Sequence, residues 1–283
     1  MRRRTLIPGL AFWVALSGLL LARPGGGVPS SQFLPDDLSQ REMWEEFLAT
    51  AEIVGKKQMK GSEAVTEPWV LTLKKGDVTR RALWKNAQGR RGGFWEGWNY
   101  EVAAYLLDKH LGLGMVPPTV ERRFNGEKGS CQLWIEDCIT LREREQKKIK
   151  MPLAKVFGWN RATYIQRFWD NLIANEDRHM NQILITPDWR MLLIDHSRTF
   201  RSSPRFTKSL LFTAKNPDGP KLMSELPRAL VEKVKALDAA SVMSVTNGFL
   251  AEAEVTAVIL RRDLILQEID KLIKANGEDK VLY

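Results

Sequence analysis

The chain has 283 residues, an apolar fraction of 44 % and a formal net charge of +9. That length suits one two-lobed domain or two small ones, and the apolar fraction is that of an ordinary globular protein, which sets aside disordered and fibrous classes. The charge favours anionic partners such as nucleotides or phospholipid headgroups, but no nucleic-acid motif accompanies it, so no nucleic-acid partner is expected.

Arg2-Arg3-Arg4 precedes the apolar run Leu6–Ala22, and Arg23-Pro24-Gly25 follows it. A charged flank before such a run reads as an export signal or a membrane anchor. The positive-inside rule then puts the rest of the chain outside the cytoplasm, exported or membrane-anchored, with membrane association through this segment. Residues 1–30 are therefore set apart from the fold, and residues 28–35 read as a linker.

Asp36 or Asp37 can cap a short helix carrying Trp44, Phe47 and Leu48 on one face. From Ile53 to Lys85 the pattern is strand-like: Trp69–Leu73, a turn at Lys75-Gly76-Asp77, then Thr79–Lys85. Glu96–Leu111 reads as a helix with Val102, Ala103, Leu106 and Leu107 along one stripe. Gly112 and Gly114 end it, and Pro117-Pro118 prevents its continuation. Thr119–Arg123 and Cys131–Glu136 form a second strand pair turning at Asn125-Gly126. Cys131 and Cys138, if extended, stand roughly 23 Å apart, too far for a disulfide.

After Leu153 the pattern turns helical, with Ile165, Phe168, Leu172 and Ile173 as the apolar face of 161–174. A short hairpin follows: Ile183–Ile185, a turn at Thr186-Pro187-Asp188-Trp189, and Met191–Ile194. Helices over 227–237 and 251–274 complete the chain. The expected fold class is α+β: a β-rich lobe with one long helix over 36–138, then a mainly helical lobe over 139–283.

The hairpin holds the densest polar cluster. Asp177-Arg178-His179-Met180-Asn181-Gln182 precedes its first strand, and Asp195-His196 follows its second. A hairpin brings its outer ends together, so Asp177, Asn181, Gln182 and Asp195 are expected at one open end. Carboxylates and amides so placed suit holding Mg²⁺ against phosphate oxygens while one carboxylate addresses a hydroxyl. Upstream, Lys85 ends a strand and Glu101 lies on the next helix as its natural acidic partner. The same residues leave two alternatives open. Asp177, His179, Asp195 and His196 could ligate a hydrolytic metal, or the cluster could serve a non-catalytic scaffold.

The order Lys85 in a strand, Glu101 in a helix, Asp177-Arg178-His179 in a loop and Ile194-Asp195 after a hairpin resembles the protein-kinase-like superfold. Within it, the Asp-Arg-His order resembles the phosphatidylinositol 3-/4-kinase-like branch, which includes HipA-type kinases, type II phosphatidylinositol 4-kinases and the secretory Golgi casein kinases. The stretches 100–120 and 130–136 resemble bacterial members. The resemblance implies an ATP- and Mg²⁺-dependent kinase, with Mn²⁺ as a substitute, acting on a hydroxyl of protein, lipid or polyol. It implies that Lys85 contacts the phosphates and Glu101 pairs with it. Asp177 would orient or deprotonate the acceptor, Asp195 would hold metal, and Arg178 and His179 would support the loop or the transferred phosphate. Gln182 stands where the family pattern has a metal-binding Asn, with Asn181 one residue earlier, and no G-x-G-x-x-G precedes Lys85. Gly55 and Gly61-Ser62 flank or form the hairpin expected over the phosphates.

Overall fold

The computed structural model describes residues 40–59, 67–91, 93–213 and 223–283. The apolar run Leu6–Ala22, the capping candidates Asp36 and Asp37, and Gly61-Ser62 lie outside the described residues. Among the described residues no helix is long and apolar enough to cross a membrane.

The chain forms an α+β structure of two lobes. Helix α1 (Arg41–Thr50) starts at Gln40 without a side-chain cap and buries Phe47 and Leu48. Strands β1 (Glu52–Gln58), β2 (Trp69–Lys75) and β3 (Val78–Lys85) follow. They pair antiparallel with β7 (Glu127–Leu133) and β6 (Thr119–Phe124) in the order β1-β2-β3-β7-β6. Gly55 sits inside β1 at a register shift rather than in a turn. Alternation along β2 and β3 buries Leu71, Leu73, Ala82 and Trp84, which pack with Phe47, Leu48, Phe124 and Cys131. Cys131 and Cys138 are both free thiols.

Two expected boundaries shift. A short hairpin, β4 (Gln88–Arg91) and β5 (Phe94–Gly97), comes before the long helix α2 (Trp98–Leu111). The helix therefore starts at Trp98, not Glu96, because Gly97 is extended and Glu96 pairs with Gly89 across the hairpin. Strand β7 starts at Glu127, not Cys131. Asn125 and Gly126 both take positive φ, giving a two-residue turn that sets Phe124 directly against Glu127. It ends at Leu133, where its pairing with Ala82 of β3 ends.

Helix α2 carries polar residues toward the sheet yet packs its Tyr105, Leu107 and Leu111 into the larger core of the second lobe. That lobe contains β8 (Ile139–Thr140), α3 (Leu141–Gln146) and α4 (Leu153–Ile173), followed by the hairpin β9 (Ile183–Ile185) and β10 (Met191–Leu193). A short helix α5 (Pro204–Thr207) precedes α6 (Arg228–Ala236), α7 (Ala239–Thr246), the long α8 (Glu252–Asn276) and α9 (Glu278–Val281). Helix α4 starts at Leu153, with its apolar residues Ile165, Phe168, Leu172 and Ile173 buried as their spacing requires.

Buried Asp108 ties the loop after α2 to both lobes. Its carboxylate accepts the backbone N–H groups of Gly114, Met115 and Val116 at 2.9–3.2 Å and faces Arg41 at 3.4 Å. Met115 O in turn accepts Leu193 N–H at 2.8 Å, fixing the strand that leads to Asp195. Burial holds the Asp108 carboxyl up at about 6, against the pull of Arg41 and the three amides.

Gly129 lies where β7 passes against Lys85. A Cβ there would stand 2.7 Å from the Trp84 ring and closer still to the Lys85 carbonyl. Gly129→Ala should therefore lower stability by roughly 1–3 kcal/mol through overpacking, seen as a lower urea midpoint with an unchanged slope.

Candidate functional site

Lys85 closes β3, and strand alternation turns it into the space between the lobes. Its ammonium lies 2.8 Å from Glu101 Oε1 on α2 and 2.8 Å from Asp195 Oδ1 beyond β10. Glu101 is nearly fully buried, whereas 38 % of the Asp195 side chain is exposed. The second Glu101 oxygen accepts the His196 backbone N–H at 2.9 Å. Burial alone would drive the Lys85 proton off, but the two carboxylates outweigh it and its pKa is raised. The same balance works in reverse on both acids. Burial pushes them up, the Lys85 ammonium pulls harder, and each stays below its ordinary range.

Asp195 adopts a left-handed backbone, φ 61°, a conformation that Asp tolerates better than most residues. Its second oxygen faces Gln182 Nε2 at 3.3 Å, and the same amide nitrogen stands 3.4 Å from Asp177 Oδ2. Gln182 thus bridges the two carboxylates, and its amide oxygen faces the His179 N–H at 3.4 Å. Asn181 points elsewhere, accepting a hydrogen bond from Arg142 Nε of α3 at 2.8 Å. Of the two amide candidates, the fold brings Gln182 to the acids and not Asn181.

Arg178 is turned away from the open side. It pairs with buried Asp170 at 3.0 Å and donates to the carbonyls of Gln182 and Ile194, one on each side of the hairpin. Its surroundings fit the loop-supporting alternative and not contact with a transferred phosphate. Asp170 also accepts from Gln166 and from Asn175 Nδ2 at 3.1 Å, and Asn175 Oδ1 accepts Asp177 N–H at 3.2 Å. His179 is exposed at the loop surface.

His196 is fully buried. Its Nε2 faces Trp169 Nε1 at 3.4 Å and Arg178 Nη2 at 3.1 Å, so it acts as acceptor, and the proton goes to Nδ1, 3.8 Å from Glu101 Oε2. This placement removes His196 from the expected set of hydrolytic metal ligands. Among the described residues no group of three or more His, Cys, Asp and Glu side chains is arranged to hold a metal. The carboxylate oxygens of Asp195 and Asp177 instead fit a hard cation such as Mg²⁺ or Mn²⁺, which is commonly held by one or two carboxylates with substrate phosphates completing its shell.

Arg198 is a further site residue not singled out by the sequence reading. It pairs with buried Glu96 of β5 at 2.5 Å, reaches Asp177 Oδ1 at 3.4 Å, and lies over the exposed Phe94 ring. The hairpin preceding α2 is thereby tied to the Asp177 loop. Only its position three residues after Asp195 could have marked it.

No family model matches the sequence, and no curated protein matches it. Solved structures do share its fold. A structure of hydra Fam20 with sugar superposes with a TM-score of 0.64 at 14 % identity, covering 87 % of this chain and 92 % of that one. The Golgi casein kinase gives 0.61 at 15 % identity, covering 86 % and 77 %, and its form with Mn/ADP bound gives 0.58 at 16 %, covering 86 % and 78 %. These similarities establish a protein-kinase-like fold.

Burial holds the His196 pKa below its ordinary 6.5. The unfolded chain then binds more protons than the folded one below that value, so stability is fully present above pH 6.5 and is lost as pH falls through the window. Between pH 7.5 and 5.5 the raised Asp108 carboxyl acts in the opposite sense in both proteins, so the check is the difference: acidification should lower the thermal midpoint of the parent relative to that of His196→Asn, which shares Asp108, His110 and His179.

Proposed function

We propose that the protein is a Mg²⁺- and ATP-dependent phosphotransferase that moves a phosphoryl group to a hydroxyl acceptor. The observation that carries this reading is Lys85, held at 2.8 Å from both Glu101 and Asp195, with Asp177 across the Gln182 amide. Phosphoryl transfer depends mostly on positioning and charge neutralisation, and this site supplies groups for both. Lys85 neutralises phosphate oxygens of the donor. Asp195 is the metal side, which Gln182 would join only with its amide turned to present oxygen, and a bound Mg²⁺ would supply further positive charge to those phosphate oxygens. Asp177, partly exposed at the open end, accepts the hydroxyl proton or orients the hydroxyl. Arg198 holds one Asp177 oxygen, leaving the other toward Gln182. The acceptor, whether protein, lipid headgroup or polyol, is met on that side. The Mn/ADP in the Golgi casein kinase structure supports nucleotide and divalent metal as the ligands to try first. Arg2–Arg4 and the apolar run Leu6–Ala22 support a location outside the cytoplasm, which a reporter fused to the C-terminus would read.

A non-catalytic scaffold is the second reading, and the Gln182 amide favours it. Its nitrogen lies between two carboxylates that a cation would otherwise hold together.

Labelled-ATP transfer against protein, lipid and polyol panels separates the two, with Asp177→Asn as control. The enzyme should transfer label, and Asp177→Asn should lose roughly 10²–10⁴-fold, the range of general acid–base groups. Millimolar Mg-ATP should also raise the thermal midpoint. No transfer and no thermal shift would leave the scaffold.

Lys85→Met is a poor control, because it leaves buried Glu101 unpaired. Loss of one partner of a buried pair costs about 3–5 kcal/mol, so this variant should show a much lower thermal midpoint even without nucleotide.

A further inference from the structure

Helix α4 begins with an apolar face that is largely exposed among the described residues. Leu153 is 92 % exposed and Phe157 54 %, with Val156 beside them and Ile149 just before the helix. Positions 153, 156 and 157 share one helical face. Most isolated surface apolar residues need no explanation, but a contiguous group does. The charge around it is one-sided. From Gln146 to Trp169 the sequence has no Asp or Glu, while Lys147, Lys148, Lys150 and Lys155 lie within its first ten residues. All four are exposed. Lys147 has Glu143 at 3.6 Å, and the nearby Glu145 is taken by Arg144. Arg161, over the Phe157 ring, is paired with Glu225 at 2.9 Å.

We propose that residues 147–157 form a docking surface for an anionic lipid membrane. Lysines flanking bulky aliphatic and aromatic side chains are the composition of interfacial segments, where apolar groups enter the acyl boundary and the ammonium groups remain among anionic headgroups. Four exposed lysines around these exposed apolar side chains complement a surface that is anionic outside and apolar beneath. It is distinct from the apolar run Leu6–Ala22 and does not depend on the phosphotransferase reading. The surface adjoins the site along the chain, since it follows α3, whose Arg142 holds Asn181 beside Gln182. Met180, at the same loop, is also exposed.

The test places an environment-sensitive fluorophore on Leu153→Cys in the full chain, with Cys138→Ser to remove the half-buried thiol and the fully buried Cys131 retained. A second preparation carries the probe on Val54→Cys, an exposed position on β1. Vesicles of phosphatidylcholine alone, or with about one-third phosphatidylserine, are then added. With anionic vesicles the probe at 153 should shift to the blue and be quenched by brominated acyl chains, while the probe at 54 should not change. Combined Lys148→Gln, Lys150→Gln and Lys155→Gln should weaken the response at least several-fold, as should raised salt. The local readout separates this face from any anchoring elsewhere in the chain. No shift at 153 with anionic vesicles would overturn the proposal, as would an equal shift with neutral vesicles. A probe already blue-shifted without lipid, showing the face covered by the chain itself or a second copy, would also overturn it. So would a response to polyglutamate alone, which would mark an acidic polypeptide partner.

Discussion

One ammonium group holds this architecture at its centre. Lys85 comes from the sheet, Glu101 from the long helix and Asp195 from the end of the hairpin, and the three meet within 2.8 Å contacts. A cation and two anions at this depth are each expensive to remove from water, and only their mutual attraction offsets that cost. The pairing therefore specifies how the two lobes meet as much as it stabilises them. It also leaves the group with a net negative charge, which the open side must balance. Arg198 near Asp177 and the Gln182 amide between the acids supply part of that balance within the protein.

A second layer of buried polar groups keeps this centre in place. Asp170 collects Gln166, Asn175 and Arg178, and Arg178 spans the two ends of the hairpin through carbonyl oxygens. His196 sits between that layer and Glu101 as a neutral imidazole. Asp108 does the corresponding task for the loop after α2 and passes its order to Leu193 through Met115. Hydrogen-bonded networks of this kind rigidify their surroundings; the buried His196 Nδ1, 3.8 Å from Glu101, is left without a hydrogen bond among the described residues. A geometry held this firmly is what positioning chemistry requires.

The sequence disclosed what depends on period and order. Alternation marked Trp69–Leu73 and the strand ending in Lys85, and helical spacing marked Ile165, Phe168 and Leu172. The Asn125-Gly126 turn was legible because few residue pairs accept two positive φ angles. The hairpin β4–β5 was not legible, because Gln88-Gly89-Arg90-Arg91 has no apolar alternation and its strands are held by contacts with Arg198 and Arg201 from the other lobe. The Asp177–Gln182–Asp195 grouping could be anticipated from hairpin closure alone. Which amide joined it could not, since that depends on Arg142 drawing Asn181 away. Arg178 was open between loop and phosphate because its nearest anion, Asp170, lies on a different element. Asp108 was hidden for a similar reason: its partners are backbone amides, which no side-chain motif announces.

The left-handed backbone at Asp195 bears on how this molecule can change over generations. Few side chains other than Asn and Asp enter that region without strain, glycine aside. Natural variation there is thus channelled toward exchange of a carboxylate for its own amide, which preserves the turn and the shape of the site while deleting a charge. A single base change separates the two amino acids' codons. A fold of this kind stands one substitution from a copy of itself that keeps the left-handed turn and lacks this carboxylate.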